Sequence, residues 1–353
     1  MTRILYISNY KKGVGGISAQ IDLLCEALRS EELIVNSEEY FTAIFSTKGN
    51  PIKRVLLFFK LLLVARRYDV LHIHGCSDWG MVPVVYGVIA GKIWRKRIIV
   101  TYHGGEAAEY FNKHGVFARR WLKRADTVIV LSGFLEKVFE EYQIPCVVIP
   151  NIVTLREDIY QPKKSIAPKF ISVRHLTELY QIDLIIRAFE KVVAHYPEAT
   201  LDILGQGDCR AELEEMVKSR VESGELRERS VKFIGQVPNE KIYDYLRAND
   251  IMLSAPKIDN MPVSLLEAMN AGILVISSNV GGVPYMIEHK MNGLLFGSEE
   301  LRVKSEEWED LAEQMLWALE HREESVAMIE AAHAEVKKYS WVNIRKQLLP
   351  LYE

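Results

Sequence analysis

A chain of 353 residues is too long for one ordinary core, so two domains are expected. Hydrophobic content of 49% with 26% charged residues is the balance of a globular protein and excludes a disordered or fibrous one. The formal charge of −3 conceals a net-basic first 150 residues and a net-acidic remainder. It argues against nucleic acid as partner, as does the lack of a helix-turn-helix, zinc or aromatic single-strand pattern.

In chain order, Met1-Thr2-Arg3 leads straight into an apolar strand at residues 4–7 with no secretory signal. With four scattered cysteines (Cys25, Cys76, Cys146, Cys209), this predicts a reducing, cytoplasmic setting. A glycine turn, Gly13-Val14-Gly15-Gly16, precedes an amphipathic helix over about 18–29. Glycines there let backbone approach a ligand at the positive end of a helix.

Residues 51–67 are very apolar but interrupted by bases. The run is too short to span a membrane, which leaves a buried crossover helix or a surface that touches lipid. Strands are expected at 70–74, 98–102, 127–131 and 147–149. Their continuous apolarity indicates burial on both faces in a parallel sheet. His103 follows the third of the strands at 4–7, 70–74 and 98–102, and offers a hydrogen bond to a sugar hydroxyl or simply packs; His72 and His74 read as structural. The segment 117–124 sets Trp121 beside four cations, a pattern for an anionic lipid surface or a solvated basic helix.

Prolines and lysines collect over 151–168, as in a linker, and the alternation then restarts. Strands are expected at 170–173, 200–204, 231–234, 251–254 and 274–277. Helices are expected at 183–195, 211–223, 241–248 and 263–270, with a helical tail over 308–319, 323–338 and 341–349. Glycine turns follow the second and last of these strands, at Gly205-Gln206-Gly207 and Gly281-Gly282.

The segment from Asp259 to Met269 is the most informative. It runs from strand to loop to helix, with one acid in the loop and Glu267 two turns into an apolar helix. A helix N-terminus at a sheet rim suits a phosphate-bearing ligand. A carboxylate among leucines needs polar partners such as ribose hydroxyls.

Together these segments resemble the retaining nucleotide-sugar glycosyltransferases of the group 1 (glycogen-synthase-like) family. The family's E-x7-E motif closes on Leu-Glu-Ala-Met, as at Leu266-Glu267-Ala268-Met269. It continues through Gly272, Gly281-Gly282-Val283-Pro284 and Asn292-Gly293-Leu294-Leu295. The resemblance implies an α/β chain of GT-B architecture, with two Rossmann-like domains facing each other across a deep cleft. Residues 1–160 would form the acceptor-side domain and 161–340 the donor domain, with a C-terminal helix at about 341–353 packing back on the first.

It further implies a sugar moved from a nucleotide-diphosphate sugar, with retention, to a hydroxyl of a lipid-linked or oligosaccharide acceptor in surface polysaccharide or glycoconjugate synthesis. His103, Asp259 and Arg174 take the catalytic roles. Gly15, Gly16, Gly205, Asp259, Val263, Ser264 and Glu267 bind the donor. No cofactor or metal is required, and the basic first domain admits peripheral contact with the inner face of a membrane. A small soluble acceptor, or a non-catalytic nucleotide-sugar-binding paralogue, is the alternative.

The chain departs from the family in two places. The first acid is Asp259, one methylene short of Glu. Tyr180-Gln181 stands where Lys-Gly is common.

Overall fold

The computed structural model describes residues 2–12, 15–34 (30–34 as backbone only), 40–156, 158–297 and 307–353. Gly13 and Val14 of the first glycine turn lie outside the described residues. The contacts divide the chain into two compact units, Met1–Thr154 with Lys338–Glu353, and Leu155–Lys337.

The first unit alternates strands and helices: β1 (Thr2–Ser8), α1 (Gly16–Ile34), β2 (Tyr40–Ser46), α2 (Pro51–Ala65), β3 (Val70–Gly75), α3 (Met81–Trp94), β4 (Arg97–Tyr102), α4 (Ala107–Leu122), β5 (Thr127–Val130), α5 (Gly133–Glu141) and β6 (Val147–Val148). The strands form a parallel sheet in the order β2-β1-β3-β4-β5-β6. Every position of β3 is buried, as expected for a strand covered on both faces. The edge strand β2 is not expected from the sequence reading. Its half-exposed pattern lacks the continuous apolar run of the inner strands.

The second unit repeats the scheme with β7 (Lys169–Val173), α6 (Ile182–His195), β8 (Thr200–Leu204), α7 (Arg210–Glu222), β9 (Val231–Gly235), α8 (Asn239–Ala248), β10 (Ile251–Ser254), α9 (Val263–Ala271), β11 (Leu274–Ser278), β12 (Leu294–Phe296), α10 (Glu307–Glu320) and α11 (Arg322–Val336). Its parallel sheet runs β12-β11-β10-β7-β8-β9. The three-residue edge strand β12 is also an addition to the sequence reading. The order reverses at β7: β8 lies on one side and β10, reached only after two further crossovers, on the other. A switch point of this kind opens a crevice at the carboxyl ends of the two strands.

The chain then returns to the first unit with α12 (Trp341–Leu348). In that unit α2 to α5 supply one apolar core on one face of the sheet, and α1 and α12 supply another. The helix α2 is a crossover helix but not a buried one: only Leu61 and Ala65 are buried, while Ile52, Val55, Leu56, Phe59 and Leu63 are exposed. Its run of leucines exceeds what one sheet-facing stripe can absorb.

Candidate functional site

The switch point of the second unit gathers most of the residues singled out in sequence. Arg174 follows β7, and its side chain is 9% exposed. Its Nη1 lies 3.0 Å from Asp259 Oδ2, while Nε and Nη2 donate to Ser254 Oγ at 3.2 and 2.9 Å. The other Asp259 oxygen accepts from the Asn260 N–H at 2.8 Å. The guanidinium carbon stands 5.2 Å from the centre of the Tyr180 ring. Tyr180 thus braces the arginine by a cation–π contact.

Two glycines hold this arrangement. A Cβ on Gly205, at φ +137°, would fall 1.8 Å from the Arg174 carbonyl oxygen. Gln206 O accepts from Leu176 N–H at 3.0 Å, so the 205–207 turn is fastened to the segment that carries the arginine. Gly281, at φ +53°, does the same for the acid: a Cβ would meet Asp259 O at 2.1 Å, and Gly282 N–H donates to that oxygen at 3.0 Å. Only glycine fits such positions without moving backbone.

The helix α9 follows directly. Pro262 caps its N-terminus without a side-chain hydrogen bond. The first N–H groups, those of Val263 and Ser264, have no carbonyl one turn earlier to bond and carry the positive end of the helix dipole. The Ser264 hydroxyl is buried without a hydrogen-bond partner among the described residues.

One turn in, rather than the two expected from the sequence, Glu267 lies half-buried between Leu266 and Ala268, both fully buried. Burial raises its carboxyl to about 7, against the opposing pull of Arg174. Burial, then the Glu267 charge, pushes the Tyr243 hydroxyl up to about 12, so it stays protonated. A carboxyl lifted this far has too few donors for its charge. The site therefore combines a held cation, free helix N–H groups and a carboxylate short of donors, a set suited to phosphate at one end and hydroxyls at the other.

In the first unit, Gly15 (φ +82°) and Gly16 stand at the start of α1 with nothing within 4 Å of an added Cβ. Farther along the carboxyl edge, His103 follows β4 and is half-buried. The register sets His74 beside Thr101, and His74 Nδ1 lies 2.8 Å from His103 Nε2. Sequence reasoning set His74 aside as structural; pairing register across strands is not written in either strand alone.

His72 bonds Tyr352 and Thr101, each at 2.8 Å, and Tyr352 bonds Tyr6 at 3.0 Å. Burial lowers His72 and His103 to about 3, and lowers His74 also. All three are therefore neutral near pH 7. His74 Nε2 is buried without a hydrogen-bond partner among the described residues. A bare acceptor there is less costly than an orphaned N–H, which places the His74 proton on Nδ1 and the His103 proton on its own Nδ1. His103 is then a neutral hydrogen-bond donor.

Residues 157–335 match the family model described as "Glycosyl transferases group 1", and residues 14–157 match "Glycosyltransferase Family 4". The chain is 28% identical over 211 residues to the phosphatidylinositol N-acetylglucosaminyltransferase gpi3 subunit of Schizosaccharomyces pombe, covering 58% of this chain and 43% of that protein. It is 33% identical over 147 residues to the amylovoran biosynthesis glycosyltransferase AmsK of Erwinia amylovora, covering 40% of this chain and 34% of that protein. The matches span less than half the length of either relative. Among solved structures, Anabaena Alr3699/HepE in complex with UDP and glucose is similar over 99% of both chains, with a TM-score of 0.77 at 18% identity; this likeness concerns the fold.

Proposed function

The chain belongs to the group 1 glycosyl transferases, and from that premise we propose that it moves a sugar, with retention, from a nucleotide-diphosphate sugar to a hydroxyl of a lipid-linked or oligosaccharide acceptor. The second unit is the donor unit and the first serves the acceptor. The observation that carries the reading is Glu267, a half-buried carboxyl raised to about 7 on a helix whose N-terminus has no side-chain cap. The vicinal hydroxyls of a ribose supply the two donors that this carboxylate lacks.

The α9 N-terminus, with Val263 and Ser264, meets the diphosphate, as do the open glycines Gly15 and Gly16. Arg174 offsets charge on the departing diphosphate, and Asp259 both holds Arg174 and meets sugar hydroxyls with its remaining lone pairs. Gly205 keeps Arg174 in place. His103, a neutral donor, contacts the transferred sugar near the reacting carbon. The acceptor hydroxyl attacks from the face that the diphosphate leaves, which gives retention. A lipid-linked acceptor agrees with the phosphatidylinositol that the gpi3 subunit is named for, and AmsK is named for amylovoran biosynthesis.

A protein that binds the donor without transferring is the second reading, favoured by Tyr180-Gln181 in place of Lys-Gly. Release of nucleotide diphosphate from donor plus acceptor extract separates the two. The transferase reading expects turnover that falls about a hundredfold in Glu267→Ala, from two lost charge-assisted hydrogen bonds of roughly 1.5 kcal/mol each. Donor binding without turnover would support the second reading.

A further inference from the structure

Two histidines stand two residues apart on β3, on the sheet face that α1 and α12 cover, and the fold uses them differently. His72 has both ring nitrogens bonded, Nδ1 with the Tyr352 hydroxyl and Nε2 with Thr101 Oγ1, each at 2.8 Å. That is how a histidine kept for the core alone is satisfied. His74 is 2% exposed and has only one nitrogen bonded. Its Nδ1 lies 2.8 Å from His103 Nε2, while its Nε2 has no hydrogen-bond partner among the described residues. An aliphatic side chain would fill position 74 without an orphaned polar atom, so packing does not account for an imidazole there.

The neighbours hold the His74 ring in place. Its centre lies 4.5 Å from that of His72 and 5.7 Å from that of Tyr6. His72 is itself fixed by its two bonds, and Tyr6 by the Tyr352 hydroxyl at 3.0 Å. The His103 ring stacks on His74 at 5.1 Å, with 24° between the planes. The backbone of His103 is tied to the same strand, since its N–H donates to Gly75 O at 2.9 Å. Both the backbone and the ring of His103 are therefore fastened to β3, whereas its Nδ1 makes no hydrogen bond among the described residues.

We propose that His74 is a positioning residue for His103: by donating from Nδ1 to His103 Nε2 it fixes the ring and keeps the His103 N–H on Nδ1, free to donate to the transferred sugar. This role rests on the reading that His103 contacts that sugar, and it adds the residue that sets which nitrogen donates. Burial keeps both rings neutral near pH 7, so one proton lies between them and its owner decides the tautomer of each. Ownership by His103 would leave a buried N–H on His74 Nε2 with no acceptor, the costlier arrangement.

Proton–nitrogen NMR of the histidine side chains in the full chain at pH 7 tests this without any substrate. The His103 signals, identified by their loss in His103→Gln, should report Nδ1–H in the unaltered protein. His74→Leu removes the donor and should move His103 to the Nε2–H form or to a mixture. His74→Asn offers an amide N–H in place of the ring N–H and should restore Nδ1–H. Release of nucleotide diphosphate should follow the tautomer. We expect kcat about tenfold lower in His74→Leu and within about threefold of the unaltered protein in His74→Asn, with donor KM little changed in both. His103 as Nε2–H in the unaltered protein, or one tautomer shared by all three proteins, would overturn the proposal. So would an equal loss of kcat in both variants, which a purely structural His74 would give. The unaltered protein and His74→Asn decide the matter even where His74→Leu fails to fold. The tautomer is read without turnover, so an unaltered protein that transfers no sugar would count against the transfer reading and not against the histidine pair.

Discussion

Helices α2 and α9 are built from similar material: short, leucine-rich, each with a charge set among apolar side chains. The fold treats them in opposite ways. α9 links two inner strands of its sheet, β10 and β11, and buries Leu265, Leu266, Ala268 and Met269 completely. Its charge is carried inward, and the carboxyl of Glu267 is raised for want of donors. α2 runs from the edge strand β2 toward β3 and has little above it, so its leucines face outward and its lysines remain in water. Hydropathy alone does not distinguish these helices. Position in the sheet order does: it closes α9 and its carboxyl into the core and leaves the apolar stripe of α2 exposed.

Truncation should break the symmetry of composition most sharply. Leu266→Ala, in the closed core, should destabilise by about 3 kcal/mol, whereas Leu56→Ala on α2 should stay within about 0.5 kcal/mol. Denaturant titration of the two variants decides this; equal losses would mean that α2 is buried after all.

The pH dependence of stability follows next. The Glu267 carboxyl is raised in the folded state, so the folded protein holds its proton more tightly than the unfolded chain. Its contribution is therefore fully present below the unfolded value near 4.5 and is lost as pH rises through about 7. Relative to Glu267→Gln, the protein should lose up to about 3 kcal/mol between pH 4.5 and 8, less where residual solvent contact screens the charge. Parallel stability curves for protein and variant would remove the perturbed carboxyl from the account.

The smallest effect concerns the departure at Tyr180-Gln181. Gln181 sits at φ 43°, the left-handed region, at the start of α6. Gln181→Gly should stabilise by about 0.5–1 kcal/mol, with the relief of strain partly offset by the freer unfolded chain. The family's glycine at this place has a backbone reason, and the glutamine tolerates it at a small cost. A destabilised variant, measured by the same titration, would show that the glutamine side chain makes a contact of its own.

Much of this was legible in the chain. Inner strands announce themselves because burial on both faces demands unbroken apolar runs, as in residues 70–74 and 251–254. Two of the four edge strands do not: Tyr40–Ser46 is half-solvated and Leu294–Phe296 is only three residues long. The common placement of Asp259, Ser264 and Glu267 was legible because strand, loop and helix are contiguous in sequence, so the three travel together. What stayed hidden depends on pairing between distant segments. The bond from His74 to His103 requires the register of β3 on β4, and the Arg174–Asp259 pair requires β7 beside β10. The bracing of Arg174 and Asp259 by Gly205 and Gly281 belongs to the same class.

The central claim is that Glu267 is the carboxylate that receives the hydroxyls of a donor nucleotide. Calorimetric titration of the common nucleotide diphosphates at pH 6 and pH 8, with the protein and with Glu267→Gln, tests it most directly. A carboxyl near 7 is mostly protonated at pH 6, so the best-binding nucleotide should gain about tenfold in affinity at pH 8 beyond any gain seen with the variant, which should bind weakly at both. Equal affinity of protein and variant, with the same pH response, would contradict the account.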